Sequence, residues 1–134
     1  MHKIILTTLL VVMSSSAAAA WVRVDESPSI GYTYYADPTT VRKNGIIAVM
    51  WDMTDLAKAE LLPGVPGDKP IGSYKQHSEY NCKEKLTRRV AGTAYSGKLG
   101  GGKELMVYEK KDSEWEPIVA GDVNNKFFDI ACKK

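Results

Sequence analysis

Cysteine, histidine and phenylalanine are scarce in this sequence of 134 residues, which contains two of each. His77 is the only histidine beyond residue 20, and the two cysteines, Cys82 and Cys132, lie far apart. A structural zinc site usually needs four Cys or His ligands, so this set is too small to predict a metal site. The formal net charge is only +2, which lacks the strongly basic balance of a nucleic-acid-binding protein.

Long apolar runs are also absent, except for residues 4–13 at the N-terminus. This run follows Lys3 and is followed by three serines and four alanines, which is the order found in secretory signals. It is too short to span a bilayer, since a membrane helix needs about 20 apolar residues. We therefore predict that residues 1–20 are a cleavable signal, with Trp21 as the first mature residue and no stable membrane insertion after cleavage.

The mature part, residues 21–134, has the length of one domain. No cysteine precedes Cys82, so the chain has no lipid-attachment motif, and we expect a periplasmic or secreted protein, or one held at the cell surface without a lipid anchor. Disulfides persist in exported proteins, which favours pairing Cys82 with Cys132. Free or metal-bound thiols are the alternatives.

Segments rich in Val, Ile, Thr and Tyr predict a mainly β-protein. The predicted strands are residues 21–24, 32–36, 46–55, 73–82, 86–96 and 104–110, separated by turn-forming residues. Alternation in the fourth strand places Tyr80 and Cys82 on the core side and Lys75 and His77 on the other side. In the third strand, the face expected to line the core consists of Ile47, Val49, Trp51 and Met53.

Helical signals occur in three places. Asp37 followed by Pro38 predicts one capped helical turn over residues 37–40. Residues 56–62 suggest a short helix, within a mobile connection that reaches residue 70. The last element is a helix with Asp122 as its N-cap, which packs on the sheet through a stripe formed by Val123, Phe127, Ile130 and Ala131.

Residues 97–103 match the first seven positions of a phosphate-binding loop, but their context excludes that function. Glu104 stands where Ser or Thr should bind magnesium, and a strand pattern follows where a helix N-terminus is needed. We therefore predict a flexible hairpin turn, with no nucleotide and no other cofactor.

Catalytic pairs are equally poorly supported. His77 would have to act with Ser73, Ser78 or Cys82, but alternation places Cys82 on the opposite face, and we interpret His77 instead as a surface strand residue. Asp52 and Asp55 are predicted on opposite faces of one strand, where two carboxylates cannot converge on a substrate. The sequence therefore predicts a protein that is not an enzyme.

Basic residues are concentrated between positions 69 and 89, and they form the best candidate for a partner-binding surface. Simple solvation of an edge hairpin, with lysines that discourage aggregation, is the competing interpretation. His77 shares the outward face of Lys75 and joins the candidate set, which is Lys69, Lys75, His77, Lys83, Lys85, Arg88 and Arg89.

Short motifs spaced along the whole mature part carry a further signal. They are WV at 21–22, YYADPTTV at 34–41, residues 75–82 ending in EYNC, YSG at 95–97 leading to GGG at 100–102, WEPI at 115–118, and IAC at 130–132. In order and spacing they resemble the surface-adhesin protein E family of bacterial exported proteins. The resemblance implies an α+β, mainly β fold: an antiparallel sheet of about six strands, with a C-terminal helix packed on it and linked to it by a disulfide.

The same resemblance implies adhesion to host extracellular proteins such as vitronectin, laminin and plasminogen. The function we predict is a non-enzymatic exported binding module, whose partner is a protein or an envelope component. The alternative is a structural envelope protein with no host ligand, working as a homodimer through its sheet.

Overall fold

Antiparallel strands dominate residues 20–133, the part of the chain that the computed structural model describes. The strands of this part are β1 (Val22–Ser27), β2 (Tyr32–Asn44), β3 (Ile47–Glu60), β4 (Ile71–Asn81), β5 (Leu86–Tyr95), β6 (Glu104–Glu109) and β7 (Glu116–Pro117), and its α-helix is α1 (Val123–Ala131). The first six strands lie in the sheet in chain order, and β7 pairs with the start of β5. The predicted fold class is therefore confirmed. The predicted signal, residues 1–20, lies outside the described residues apart from Ala20.

Short turns join β2 to β3 and β4 to β5, because the turn residues satisfy backbone groups locally. Gly45, at φ +64°, connects β2 to β3 in a conformation that favours glycine. At the next hairpin, the Asn81 side chain accepts hydrogen bonds from the backbone N–H groups of Lys83 and Glu84. These contacts fix the hairpin that carries the predicted basic residues.

The C-terminal helix packs on one face of the sheet, as its apolar stripe predicts. Phe127 and Ala131 are buried, and Phe128, which lies outside the predicted stripe, is buried with them. The Tyr80 ring on β4 meets the Phe128 ring edge to face, with centroids 6.3 Å apart. Small residues beneath the helix, such as Ala36, leave room for these rings.

A disulfide joins Cys82, just after β4, to Cys132, just after α1, with the two Cα atoms 5.6 Å apart. The predicted pairing is therefore confirmed. The Cys132 N–H also donates to the Phe128 carbonyl, which completes the last turn of the helix. The helix is thus fixed both by its buried face and by a covalent bond to the sheet.

The core-facing side of β3 is the opposite of the predicted one. Ala48 and Met50 are fully buried beneath α1, whereas Trp51 and its alternate neighbours are half-buried on the other face, apart from Met53. Counting apolar residues favoured the wrong set, because the face under the helix also holds the polar residue Asp52. Met53 is buried for a different reason, since the loop at Gly100 lies against it.

The helical turn predicted at residues 37–40 does not form, and these residues belong to β2, at a bulge opposite β3. The Asp37 carboxylate accepts a hydrogen bond from the Thr39 N–H at 3.1 Å, as an N-cap would. Thr40 then donates its hydroxyl to the Asp37 carbonyl and accepts the Trp51 N–H at 3.0 Å. The Thr40 hydroxyl therefore takes the place of a backbone acceptor in the β2–β3 ladder, and the strand continues where the local pattern predicted a helix.

The helix predicted at residues 56–62 is also wrong, since β3 continues to Glu60, which pairs with Ile71. The connection that follows contains a short 3₁₀ turn at Pro66–Asp68. It covers a second apolar cluster, in which Leu56, Val65 and Ile71 are buried. The apolar residues of segment 56–62 therefore belong to the end of β3 and to the loop that covers it.

Candidate functional site

The two faces of the sheet differ in what covers them. α1 packs over β1, β2 and β3 on one face, whereas in residues 20–133 no α-helix covers the other face. We call this second surface the open face. Its central side chains, from neighbouring strands, are Val49, Trp51, Lys75, His77, Glu79 and Arg88.

One end of the open face is closed by the glycine-rich loop, residues 97–102. The Asp55 carboxylate accepts the Leu99 N–H at 2.7 Å and pairs with the Lys98 ammonium at 3.0 Å. The Ser73 hydroxyl donates to the Gly97 carbonyl and accepts the Gly100 N–H. The segment predicted as a flexible hairpin turn is therefore a hydrogen-bonded loop held against β3 and β4, and the amide groups of Gly97, Leu99, Gly100 and Gly101 have partners within the fold.

All three tryptophans of the chain lie half-buried against a basic side chain on or beside the open face. The Lys75 ammonium lies 5.6 Å from the centre of the Trp21 ring and 5.1 Å from that of Tyr95. Trp51 stacks on His77, with centroids 4.8 Å apart and planes 17° from parallel. Cation–π and stacking contacts of this kind attract each ring to its neighbour and favour its observed position on the sheet.

The third tryptophan, Trp115, lies beside β5. The Arg88 guanidinium sits 4.3 Å from the centre of its ring and also binds the Glu79 carboxylate at 3.1 Å. An exposed ion pair alone contributes little, but here the aromatic ring and the carboxylate fix one arginine from two sides. Arg88 is therefore a positioned side chain and not a free surface charge.

His77 is half-buried, and burial lowers the pKa of its imidazole, an effect that the nearby Glu79 carboxylate partly offsets. Neither serine considered as its catalytic partner is available. Ser73 is bound to the glycine-rich loop, and Ser78 lies on the other face, where its hydroxyl donates to Asp52. The structure brings together no nucleophile–base pair from this set.

Asp52 and Asp55 do lie on opposite faces of β3, as predicted. Asp55 holds the glycine-rich loop, whereas Asp52 is buried on the helix side, where Ser78 donates to it at 3.0 Å. Burial raises the pKa of Asp52 to about 7, against the opposing effects of the Arg89 charge and the Ser78 hydrogen bond. The two carboxyl groups diverge and cannot act on one substrate.

The seven candidate binding residues are distributed over several surfaces. Lys75, His77 and Arg88 lie on the open face, where they contact aromatic rings. Lys83 and Lys85 are exposed in the β4–β5 turn, and Lys69 is exposed in the loop before β4. Arg89 faces the helix side, because it pairs with Ser78 in the ladder. Partner binding by these residues stays a prediction.

The three tryptophans are site residues that the sequence analysis did not select. The sequence did contain a signal for Trp51. Because it lies between Met50 and Asp52 in one strand, its side chain points to one face of the sheet and theirs to the other, and only one of the two faces can lie under the helix. Among residues 20–133, no cluster of His, Cys, Asp and Glu is arranged to hold a metal ion. No helix in the same range is long and apolar enough to cross a membrane.

Solved structures of protein E from Haemophilus influenzae share this fold. One has a TM-score of 0.60 at 16% sequence identity and covers 86% of this chain and 85% of that chain. Another, from a non-typeable strain, has a TM-score of 0.57 at 15% identity and covers 88% of this chain and 78% of that chain. At these identities, the likeness establishes the fold alone.

No curated protein is a match for the sequence. The family comparison is stronger, because the model of the family described as Surface-adhesin protein E matches residues 21–133. This range includes the sheet, the helix, the disulfide and the open face. The chain therefore belongs to the Surface-adhesin protein E family of adhesin-like surface proteins.

Proposed function

We propose that this protein is a non-enzymatic exported binding module, which binds a protein partner on the open face of its sheet. Candidate partners are the host proteins that the family resemblance implies, namely vitronectin, laminin and plasminogen. One observation carries the proposal: the tryptophans are held by basic side chains on or beside the face that α1 leaves uncovered. In a purely structural role, such large apolar side chains would be expected beneath the helix.

The chemistry of these side chains suits protein recognition. Tryptophan, tyrosine and arginine are enriched among the residues that dominate binding energies at protein interfaces. Trp51 and Trp115 are half-buried, so each retains surface that a partner can cover. Because His77 and Arg88 already hold the two rings, little conformational entropy would be lost when a partner binds.

The exposed lysines of the β4–β5 turn have a separate role in the proposal. Lys83 and Lys85 form no ion pair among the described residues, and they lie at the rim of the sheet. Charges at a rim mainly change association rates, and the Debye length of about 8 Å at physiological salt limits them to short range. They would assist encounter with an acidic partner surface, while the aromatic rings determine its lifetime.

Binding of purified residues 21–134 to immobilised vitronectin, laminin and plasminogen tests the proposal by surface plasmon resonance. Trp51→Ala should weaken binding roughly tenfold or more, mainly through faster dissociation, since buried aromatic anchors contribute about 2 kcal/mol. Leu61→Ala is the matched control, because Leu61 is a large apolar residue that is 64% exposed and lies in the connection after β3. Equal losses in both variants would contradict the assignment of this face.

The lysines require their own comparison. Lys83→Gln with Lys85→Gln should slow association a few-fold and leave dissociation unchanged. The control pair, Lys58→Gln with Lys103→Gln, removes the same charge from exposed positions elsewhere in the fold. If both pairs slow association equally, net charge is responsible and the turn has no specific role.

The alternative is an envelope protein with no host ligand, paired through its sheet as a homodimer. It predicts that the wild-type protein binds none of the three host proteins and is found in the periplasm on cell fractionation. An adhesin must reach the outer surface, so protease accessibility on intact cells distinguishes the two functions.

A further inference from the structure

The helix-side face holds a second candidate site, which does not depend on the proposed function. α1 packs mainly over β1, β2 and β3 and reaches β4 through the contact between Phe128 and Tyr80, so the rest of β4, together with β5 and β6, is left partly uncovered. Two adjoining clefts occupy that part, with volumes of about 470 Å³ and 250 Å³. Arg89 lines both of them.

Arg89 differs from the other arginines in having no side-chain partner. Within residues 20–133, its guanidinium forms no ion pair and donates no side-chain hydrogen bond; only its backbone carbonyl accepts one, from Ser113. The partners of the other three arginines are Glu26 for Arg23, the carbonyls of Thr39 and Val41 for Arg42, and Glu79 for Arg88. A cation without a partner, placed where two clefts meet, is suited to an anionic group.

The buried acid on this face, Asp52, is already engaged. Asp52 receives its hydrogen bond from Ser78 and forms no ion pair with Arg89. The larger cleft is polar and includes Lys110, but also Glu114 and Glu116, which would repel an anion placed further out. An anionic group is therefore best placed at Arg89, with the rest of the ligand directed away from the two glutamates.

The smaller cleft has room for the rest of the ligand on the side away from the two glutamates. From Arg89 it continues along the ladder past Tyr108, which lies over Gly92, to Met106 and Ala94, which pair with each other. Gly92 is required there, because a Cβ atom would lie 2.4 Å from a ring carbon of Tyr108. Leu62 and Ile71 close the far end. Beyond the arginine the lining is mainly apolar, and its other polar residues are Lys75, Gln76 and Thr93.

We propose that these clefts bind an amphiphilic carboxylate, with its carboxylate at Arg89 and an unbranched alkyl chain along Tyr108, Met106 and Leu62. A guanidinium forms charge-assisted hydrogen bonds to a carboxylate, often through two parallel N–H groups. Burial of the chain adds affinity in proportion to the apolar area removed from water.

Isothermal titration calorimetry of residues 21–134 with decanoate tests the site. Affinity should increase by up to about fourfold for each added CH₂ group from hexanoate to decanoate, until the cleft is filled. Acetate, which lacks the chain, and decyltrimethylammonium, which has the same chain with the opposite charge, should not bind. No decanoate binding at millimolar concentration, or equal binding of the cationic amphiphile, would overturn the proposal.

Variants locate the site. Arg89→Gln should weaken decanoate binding roughly tenfold or more, since a hydrogen bond to a charged group contributes about 1.5–3 kcal/mol. Arg89→Lys should retain part of the affinity, because it keeps the charge, and Met106→Gln should reduce the gain per CH₂ group. Arg42→Gln is the matched control and should bind as the wild type does. Unchanged binding in both Arg89→Gln and Met106→Gln would refute this location.

Discussion

The buried carboxyl group of Asp52 makes the stability of this protein depend on pH in a predictable direction. Asp52 is 3% exposed and has one hydrogen-bonding partner, the Ser78 hydroxyl. Desolvation raises its pKa from 3.8 to about 7 in the folded protein. In the unfolded chain the group is solvated and titrates near its ordinary pKa. The perturbation that tests this is Asp52→Asn, which preserves the shape of the side chain and removes its titration.

The direction in which stability changes with pH follows from how readily Asp52 binds a proton in the folded and the unfolded chain. Between pH 3.8 and about 7 the folded protein holds a proton on Asp52 that the unfolded chain has released. The stability linked to this proton is fully present below pH 3.8 and is lost as the pH rises through the folded pKa. A shift of about three units corresponds to roughly 4 kcal/mol at 1.36 kcal/mol per unit. That loss is large beside the 5–15 kcal/mol by which domains are usually stable.

Urea denaturation, followed by tryptophan fluorescence between pH 4 and pH 8, measures the effect. The free energy of unfolding of Asp52→Asn minus that of the wild type should increase with pH by as much as about 4 kcal/mol, with most of the increase before pH 7. Taking the difference cancels every other titrating group that both proteins share. Asp112→Asn, at an exposed position, is the control and should show no such trend. A constant difference for Asp52→Asn would refute the reasoning.

Three further predictions concern the fold. Cys82→Ser should lower the free energy of unfolding by about 4 kcal/mol in urea, because the disulfide with Cys132 closes a loop with a sequence separation of 50, and thiol titration of the native wild type should find no free cysteine. Asp55→Ala should cost about 1–3 kcal/mol, because it leaves the Leu99 N–H without its partner. Lys103→Ala should change the melting temperature little, and ATP should stabilise neither this variant nor the wild type, since the glycine-rich loop is bound to the sheet.

The helix and the disulfide could be predicted from the sequence because their signals are strong and local. Phe127 and Ala131 recur at helical spacing after Asp122, and no β-pattern competes with them. Cys82 could be placed on the core side because Tyr80, two residues before it, is a large aromatic residue. In both cases one local pattern agrees with the long-range packing.

The orientation of β3 could not be predicted in the same way, because both alternate sets of residues are plausible core faces. The set with Trp51 is more apolar, but the helix needs the small side chain of Ala48 beneath Phe127 and Phe128. The size of the side chains therefore determines which face of β3 packs under the helix, and hydrophobicity alone predicts the wrong face. The same error hid the candidate site, since a tryptophan assigned to the core is not considered for binding.

The basic residues show a related limit of sequence analysis. Arg88 and Arg89 are adjacent, so a count of charges places both in one patch, yet strand alternation sends them to opposite faces. Arg88 meets Glu79 and Trp115, and Arg89 meets no partner among the described residues. One fixed arginine thus belongs to a surface suited to a protein, and one free arginine to a cleft suited to a small anion.

The open face combines large aromatic side chains with charged groups beside them. Contiguous exposed apolar surface invites aggregation, and an uncovered sheet face with three tryptophans on or beside it is at particular risk. Lys75 and Arg88 lie against two of these rings, so each aromatic surface is bordered by a charged group that favours contact with water. A partner that supplies its own acidic and apolar groups can still cover such a ring. The charged groups that contact the tryptophans therefore also border the apolar surface that a partner would cover.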